Sequence, residues 1–177
     1  VGPFAIDMYL PALPTVAADL AASPQAVQLT LTAFFLAFGL AQLVYGPLSD
    51  QMGRRPPLLI GLAIFLAGTL GCALAPDIAT LTAARLVQGL GAATVMVIPR
   101  AVIRDLHTGP EATRMMAMVM LVISVSPMLA PLAGSGVMAV AGWRWIFGAL
   151  GLAALLSIAL TLFALPETLA PANRVPA

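Results

Sequence analysis

The sequence contains no lysine, a single cysteine and a single histidine, and it spreads eight arginines and seven acidic residues over 177 positions. A charged fraction of 8% is too small to clothe a soluble globule of this length. The formal net charge is +1 and no run of like charge occurs, so the basic footprint that nucleic acid requires is missing. Cys72 lies in an apolar run with no histidine or second cysteine near it, which excludes an internal disulfide and leaves no metal-ligand spacing. His107 falls between helical segments, and no serine is paired with a candidate base; the chain reads as neither an enzyme nor a metal or cofactor binder. An initiator methionine and a basic leader are also missing. The opening Val1-Gly2-Pro3-Phe4-Ala5-Ile6 reads as a helix entered midway, not as a signal peptide.

What is present is apolar: 61% of the residues are hydrophobic and the mean hydropathy is +1.03, values that belong in a lipid bilayer. Crossing the hydrocarbon core takes roughly 20 mainly apolar residues, and the prolines, glycines and caps divide the chain into one partial and five full spans. The first runs from Val1 or before to Pro11–Pro14. The second starts at Ser23, an N-cap with Pro24 at the first helical position, and runs to about Leu48. The third fills Leu58–Ala75. The fourth starts after Asp77 and passes Val97, with Pro99 as its kink. Thr108 and Glu111 have capping-box spacing and open the fifth, which Gly142 closes; the sixth covers Arg144–Leu165. Residues 1–166 thus form an all-α, six-helix membrane domain with its first helix incomplete, and 167–177 have the composition of a polar linker.

Alternating the ends of these helices gathers Arg54, Arg55, Arg100, Arg104, Arg114 and Arg174 on one face and leaves Arg144 at the other. The crowded face is expected to be cytoplasmic, with the start of the chain and its tail on that side and Trp143 and Trp145 at the outer interface.

Charges inside a span are costly and point to function. Asp7 lies seven residues before Pro14, and Arg85 seven residues after Ile78, so each is expected about 10 Å below the outer surface at 1.5 Å per residue. At one depth they form either a coupling device, in which Arg85 holds Asp7 ionised until a proton or cationic substrate competes, or a static ion pair; alternatively the first helix ends sooner and Asp7 is wetted. Gln88, one turn beyond Arg85, faces the same way and either meets substrate or bonds across helices.

The connection Gly46-Pro47-Leu48-Ser49-Asp50-Gln51-Met52-Gly53-Arg54-Arg55-Pro56-Pro57-Leu58 is too short and charged for a casual loop. Gly53 can take positive φ to end the second helix, the paired prolines launch the third, and Asp50 is within reach of both arginines. The fifth span carries Pro127, Pro131, Gly134 and Gly136, which favour a bent segment packed closely on a neighbour, as a plain contact or as a hinge.

These residues resemble the major facilitator superfamily, and within it the bicyclomycin and chloramphenicol resistance (Bcr/CflA) drug exporters, over nearly the whole chain. Gly46–Leu58 is similar to the superfamily's signature loop, Gly-x-Leu-Ser-Asp-x-x-Gly-Arg-Arg-x-x-Leu, at every specified position. Ile6–Pro14 resembles the subfamily's first helix, Arg85–Ala92 the fourth-helix motif of proton-coupled members, and Arg100–Leu106 and Pro166–Leu169 further subfamily features. Ser126–Ser135 resembles the antiporter motif, Gly-Pro-x-x-Gly-Gly at its core, with Ala130 and Ser135 in place of two glycines.

The resemblance implies an amino-terminal half built of two inverted three-helix repeats, in a bacterial inner membrane. It implies Asp7 as an acid of protonation and drug binding, Arg85 as the arginine tied to proton coupling, with Gln88 beside it in the proton-coupling and substrate group, and Gly46, Asp50, Gly53, Arg54 and Arg55 as a conformational latch. Pro127, Ala130, Pro131 and Gly134 would form the antiporter segment. The implied activity is drug:proton exchange of small lipophilic drugs, powered by the proton gradient, with the bilayer, the drug and a missing carboxy-terminal six-helix half as partners. Met8, Tyr9, Phe34 and Phe35 are candidates for a tolerant pocket. The alternatives are export of another small solute on the same scaffold, or a membrane protein that only assembles with partners.

Overall fold

The computed structural model describes residues 2–170, 172 and 174. Eight α-helices follow in order: α1 Gly2–Asp7, α2 Leu13–Asp19, α3 Pro24–Met52, α4 Arg55–Leu74, α5 Ile78–Ala92, α6 Thr94–Leu106, α7 Gly109–Ala141 and α8 Arg144–Ala164, with a 3₁₀ turn at Leu10–Ala12 between the first two. Among the described residues five stretches are long and apolar enough to cross a membrane: α3, α4, α5 and α6 taken together, α7 and α8.

Local chemistry explains most of the boundaries. Ser23 Oγ accepts from the Ala26 N–H at 3.2 Å and Asp77 Oδ1 from the Thr80 N–H at 2.8 Å, capping α3 and α5. Gly53, at φ +96°, turns the chain out of α3, and Gly142, at φ +86°, closes α7 with its N–H on Met138 O. Helix α4 begins at Arg55, three residues before the expected Leu58, because Pro56 and Pro57 lie in the first turn, where a missing N–H costs nothing.

Three expectations are corrected. The first span does not stop at Pro11–Pro14: it breaks after Asp7, passes through the 3₁₀ turn and continues as α2 to Asp19, since Pro11 and Pro14 each occupy a first-turn position of the next element and restart it. The fourth span is interrupted at Ala93, not at Pro99, which lies inside α6; Thr94 Oγ1 donates to Gly91 O at 2.8 Å, a local bond that competes with the helical ladder. Thr108 makes no side-chain cap, and the Glu111 carboxylate lies 3.2 Å from His107 Nδ1 instead, so the capping box does not form.

Helix α5 is the centre of the bundle, packed on both α3 and α4, while α4 also carries α8. The close approach depends on glycine: a side chain at Gly89 would strike Phe34 O, and one at Gly91 the backbone of Phe65. Around this centre Tyr9, Phe34, Phe65, Leu81, Ile146 and Phe147 form the core. Helix α7 lies at the edge, against α1 and the 3₁₀ turn, and most of its surface, including Leu121, Met128, Leu132 and Val140, is exposed.

Candidate functional site

Helix α5 presents Arg85 and Gln88 on one face, and both are wholly buried. Arg85 Nη1 donates to Ala5 O at 3.0 Å and to Gln88 Oε1 at 2.6 Å. Gln88 Nε2 in turn donates to Thr69 Oγ1 at 2.8 Å, which donates to Phe65 O at 2.7 Å. The guanidinium lies between two rings, 4.6 Å from the centroid of Tyr9 and 4.4 Å from that of Phe34. Tyr9 is fixed by its hydroxyl, 3.1 Å from Thr30 Oγ1. Burying a cation without an acid is costly; two ring faces and charge-assisted bonds to neutral oxygens offset part of that cost here. Arg85 Nε and Nη2 nevertheless have no hydrogen-bond partner among the described residues.

Asp7 is not that partner. Among the described residues no ion pair joins it to Arg85; Asp7 is half-buried at the end of α1, while Ala5 supplies the oxygen that Arg85 uses. Two residues on a helix are about 200° apart around its axis, so when Ala5 faces Arg85 the Asp7 side chain faces away. Sequence depth placed the two residues at one level without setting their direction. The pocket expected from Met8, Tyr9, Phe34 and Phe35 is not formed by them either. Tyr9 and Phe34 are core residues stacked on Arg85, Phe35 is exposed, and Met8 lines a small cavity with Phe4 and Ala149, Leu150 and Ala153 of α8.

The signature loop builds a charge cluster on Arg54. This side chain, 8% exposed, bonds Asp50 Oδ1 through Nη1 at 2.5 Å and Asp105 Oδ2, at the end of α6, through Nε at 2.7 Å. Ser49 Oγ accepts from the same Nη1 at 2.9 Å. The backbone N–H groups of Arg54 and Arg55 both reach the Glu167 carboxylate, at 2.7 and 3.1 Å, so a residue beyond α8 caps the start of α4. Arg55 Nη2 donates to Leu162 O at 2.5 Å. Gly53 leaves the room: a side chain there would meet Glu167 Oε2. Gly46 has open space around it and contributes its carbonyl to Ser49 Oγ at 2.9 Å, so no close approach explains its glycine. Hydrogen bonds that Arg54 donates to Asp105, ahead of the one it donates to Asp50, raise its pKa. For Glu167, burial acts upward but is outweighed by the N–H groups of Arg54, Leu169 and Arg55, and the carboxyl ends below its usual value.

The site reading missed Asp105 and Glu167 as members of this cluster, because they lie 51 and 113 residues from Arg54. The available signal was their presence in the Arg100–Leu106 and Pro166–Leu169 segments.

In α7 the buried residues are Ser126, Ala130 and Gly134, at intervals of four. They make a small-residue edge whose last member meets the backbone of Met8, next to the break in the first span. Ala130 is wholly buried, so an alanine fits this edge. The prolines face elsewhere: Pro127 is exposed and Pro131 half-buried, in a helix that runs unbroken from Gly109 to Ala141.

At the opposite end of the bundle Asp19 Oδ2 accepts from Trp143 Nε1 at 3.0 Å and from Arg144 Nη1 at 2.5 Å. Arg144 also bonds Ala75 O at 3.2 Å and stacks on the Trp143 ring at 4.2 Å. Trp143 is therefore a buried tie between segments, whereas Trp145 is exposed.

A bundle with a buried cation on its central helix and this signature loop has a counterpart among known proteins: the family model for the Major Facilitator Superfamily matches residues 1–176. The chain belongs to the major facilitator superfamily. Relatives within that superfamily include the bicyclomycin resistance protein homolog of Haemophilus influenzae, 36% identical over 98% of this chain and 44% of the relative. Multidrug resistance protein D of Escherichia coli is 38% identical over 81% of this chain and 36% of the relative. The chain thus spans less than half the length of these relatives. Its fold matches that of the human organic anion transporter MFSD10 (TETRAN) with a TM-score of 0.78 at 24% identity, over 99% of this chain and 47% of that one. The superfamily is one of multi-pass membrane transporters, and this chain has the all-helical fold of about half of one.

Proposed function

We propose that this chain is the amino-terminal six-helix half of a proton-coupled exporter of small lipophilic drugs in a bacterial inner membrane. The observation that carries the reading is the match, over nearly the whole chain, to relatives named for bicyclomycin and multidrug resistance. The buried Arg85 supports it: this cation has two unpartnered donors, and the carbonyl it uses, that of Ala5, lies two residues from Asp7, an acid that it does not bind; in the proposed second state Asp7 supplies the missing acceptor. In this cycle Asp7 takes up a proton in one state and gives it up in the other, while Arg85 trades the Ala5 carbonyl for the freed carboxylate. Arg54 and its three acidic neighbours hold the signature-loop end, which faces the cytoplasm together with the start and the tail of the chain. The carboxy-terminal half lines the opposite wall of the path, and the proton gradient is the energy source.

The test is efflux of a fluorescent lipophilic drug in everted vesicles under an imposed proton gradient, with the full-length protein and its Asp7→Asn variant. Gradient-driven uptake that Asp7→Asn abolishes at equal expression supports the reading. Wild-type indifference to the gradient or to the drug would leave the superfamily assignment intact and remove the exporter.

A further inference from the structure

The Gln88 amide is wholly buried between α4 and α5, and an amide has a donor end and an acceptor end that fill the same space when exchanged. Its orientation is fixed from α4. The Thr69 hydroxyl has one proton, which it gives to Phe65 O on its own helix at 2.7 Å. With that proton committed, Thr69 Oγ1 has only lone pairs to offer Gln88, so it faces the amide's nitrogen, 2.8 Å away. The oxygen is thereby turned to Arg85 Nη1 at 2.6 Å, and the Cys72 thiol, a weak second donor, lies 4.0 Å from the same oxygen. A reversed amide would set two donors against each other at Arg85 and would require Thr69 to withdraw its proton from Phe65 O. Both ends of the amide therefore demand the same orientation.

Hydroxyls on membrane helices commonly bond a carbonyl one turn back. Thr82, Ser157 and Thr161 do so here, on Ile78 O, Ala153 O and Ser157 O. Thr69 does so and also accepts from a second helix. Close backbone contact keeps it in reach: a side chain at Gly68 would run into the backbone of Gln88. Thr69 is itself wholly buried and makes no hydrogen bond to Arg85 among the described residues, so whatever it does for the cation passes through Gln88.

We infer that Thr69 is a positioning residue for Arg85. By giving its proton to Phe65 O it sets the direction of the whole chain of bonds, and Arg85 meets at Nη1 an acceptor that stays in place when the Ala5 carbonyl is exchanged for Asp7. The part played in that exchange rests on the export reading; the direction of the chain does not.

The experiment uses the full-length transporter with Thr69→Val, which keeps the shape and removes the hydroxyl, and Thr69→Ser, which restores it. In detergent, Thr69→Val should lower the unfolding midpoint by at least about 2 °C, because it leaves the buried Gln88 nitrogen without an acceptor. In a Gln88→Leu background there is no amide to orient, and the same substitution should cost less than about half as much. Should Gln88→Leu fail to fold, Gln88→Glu takes its place, since two equivalent oxygens make orientation immaterial. In everted vesicles Thr69→Val should lower maximal drug efflux at least about fivefold with the KM for the drug within about twofold of wild type. Thr69→Ser should recover most of that efflux. Equal shifts in both backgrounds, a serine variant as defective as the valine one, or an effect confined to KM would overturn the inference. Coupling in the unfolding cycle together with a wild type that ignores the proton gradient would uphold the positioning by Thr69 and remove the export reading alone.

Discussion

Arg85 is held at 3.0 Å by the backbone carbonyl of Ala5, two residues short of the carboxylate it would be expected to seek. Its charge is stabilised by ring faces and neutral oxygens, an arrangement that depends on the planar guanidinium. Arg85→Lys keeps the charge but cannot serve both rings, Ala5 and Gln88. On the exporter reading proposed above it should lower efflux by the full-length protein at least about tenfold, and it should cost roughly 2 kcal/mol or more in detergent unfolding. Wild-type efflux by Arg85→Lys would show that charge alone suffices.

Gly134 and Gly136 lie two residues apart on α7 and differ in surroundings. A methyl group at Gly134 would run into the Met8 carbonyl, whereas Gly136 has nothing within 4 Å. Gly134→Ala should therefore destabilise by about 1–3 kcal/mol, and Gly136→Ala should be neutral or raise stability by roughly 0.5–1 kcal/mol through helix propensity. Thermal unfolding of the two variants side by side decides the matter.

Arg54 and Asp105 should be strongly coupled. Removing Arg54 leaves the partly buried Asp105 without its ion-pair partner, at a cost of about 3–5 kcal/mol for a buried pair and less in proportion to the exposure of this one; removing Asp105 costs less, because Arg54 keeps Asp50. In a double-mutant cycle with Arg54→Gln and Asp105→Asn, the double variant should recover at least about 1 kcal/mol of the summed single losses. Strict additivity would remove the ion pair from the account.

Glu167 makes the docking of the segment after α8 sensitive to acid. Its pKa is lower in the folded protein than in the unfolded chain, so its contribution is complete above the unfolded value, about 4.3. It is lost as pH falls through the lower folded value. Glu167→Gln should reduce unfolding stability at pH 7 by roughly 1 kcal/mol, as loss of a cap does. The difference from wild type should shrink below about pH 4. A difference that is constant from pH 7 to pH 3 would contradict this.

The elements with local causes were legible in the sequence. Ser23, Asp77, Gly53 and Gly142 mark their helix ends because each supplies its own cap or turn within a few residues. The signature loop announced Asp50 and Arg54 because they are four residues apart. What failed to read were features set by direction or by distance along the chain. Pro11 and Pro14 sit in the first turns of the elements they restart, but a proline reads equally as the end of a helix, and nothing local to them says that α2 runs on to Asp19. Asp7 and Arg85 share a level but not a facing, which depends on how the short helix α1 is rolled against α5. Asp105 and Glu167 reach Arg54 only when helices far apart in sequence have come together.

The cap that Glu167 places on α4 also has a consequence for biosynthesis. A ribosome delivers the chain from its amino terminus, so the N–H groups of Arg54 and Arg55 leave the exit tunnel 113 and 112 residues before the carboxylate that satisfies them. Until then the turn between α3 and α4 is held by Asp50 and Ser49, with Asp105 joining midway. The cluster is therefore closed by the segment that follows α8, and the bundle is sealed at this end only after α8 has been inserted.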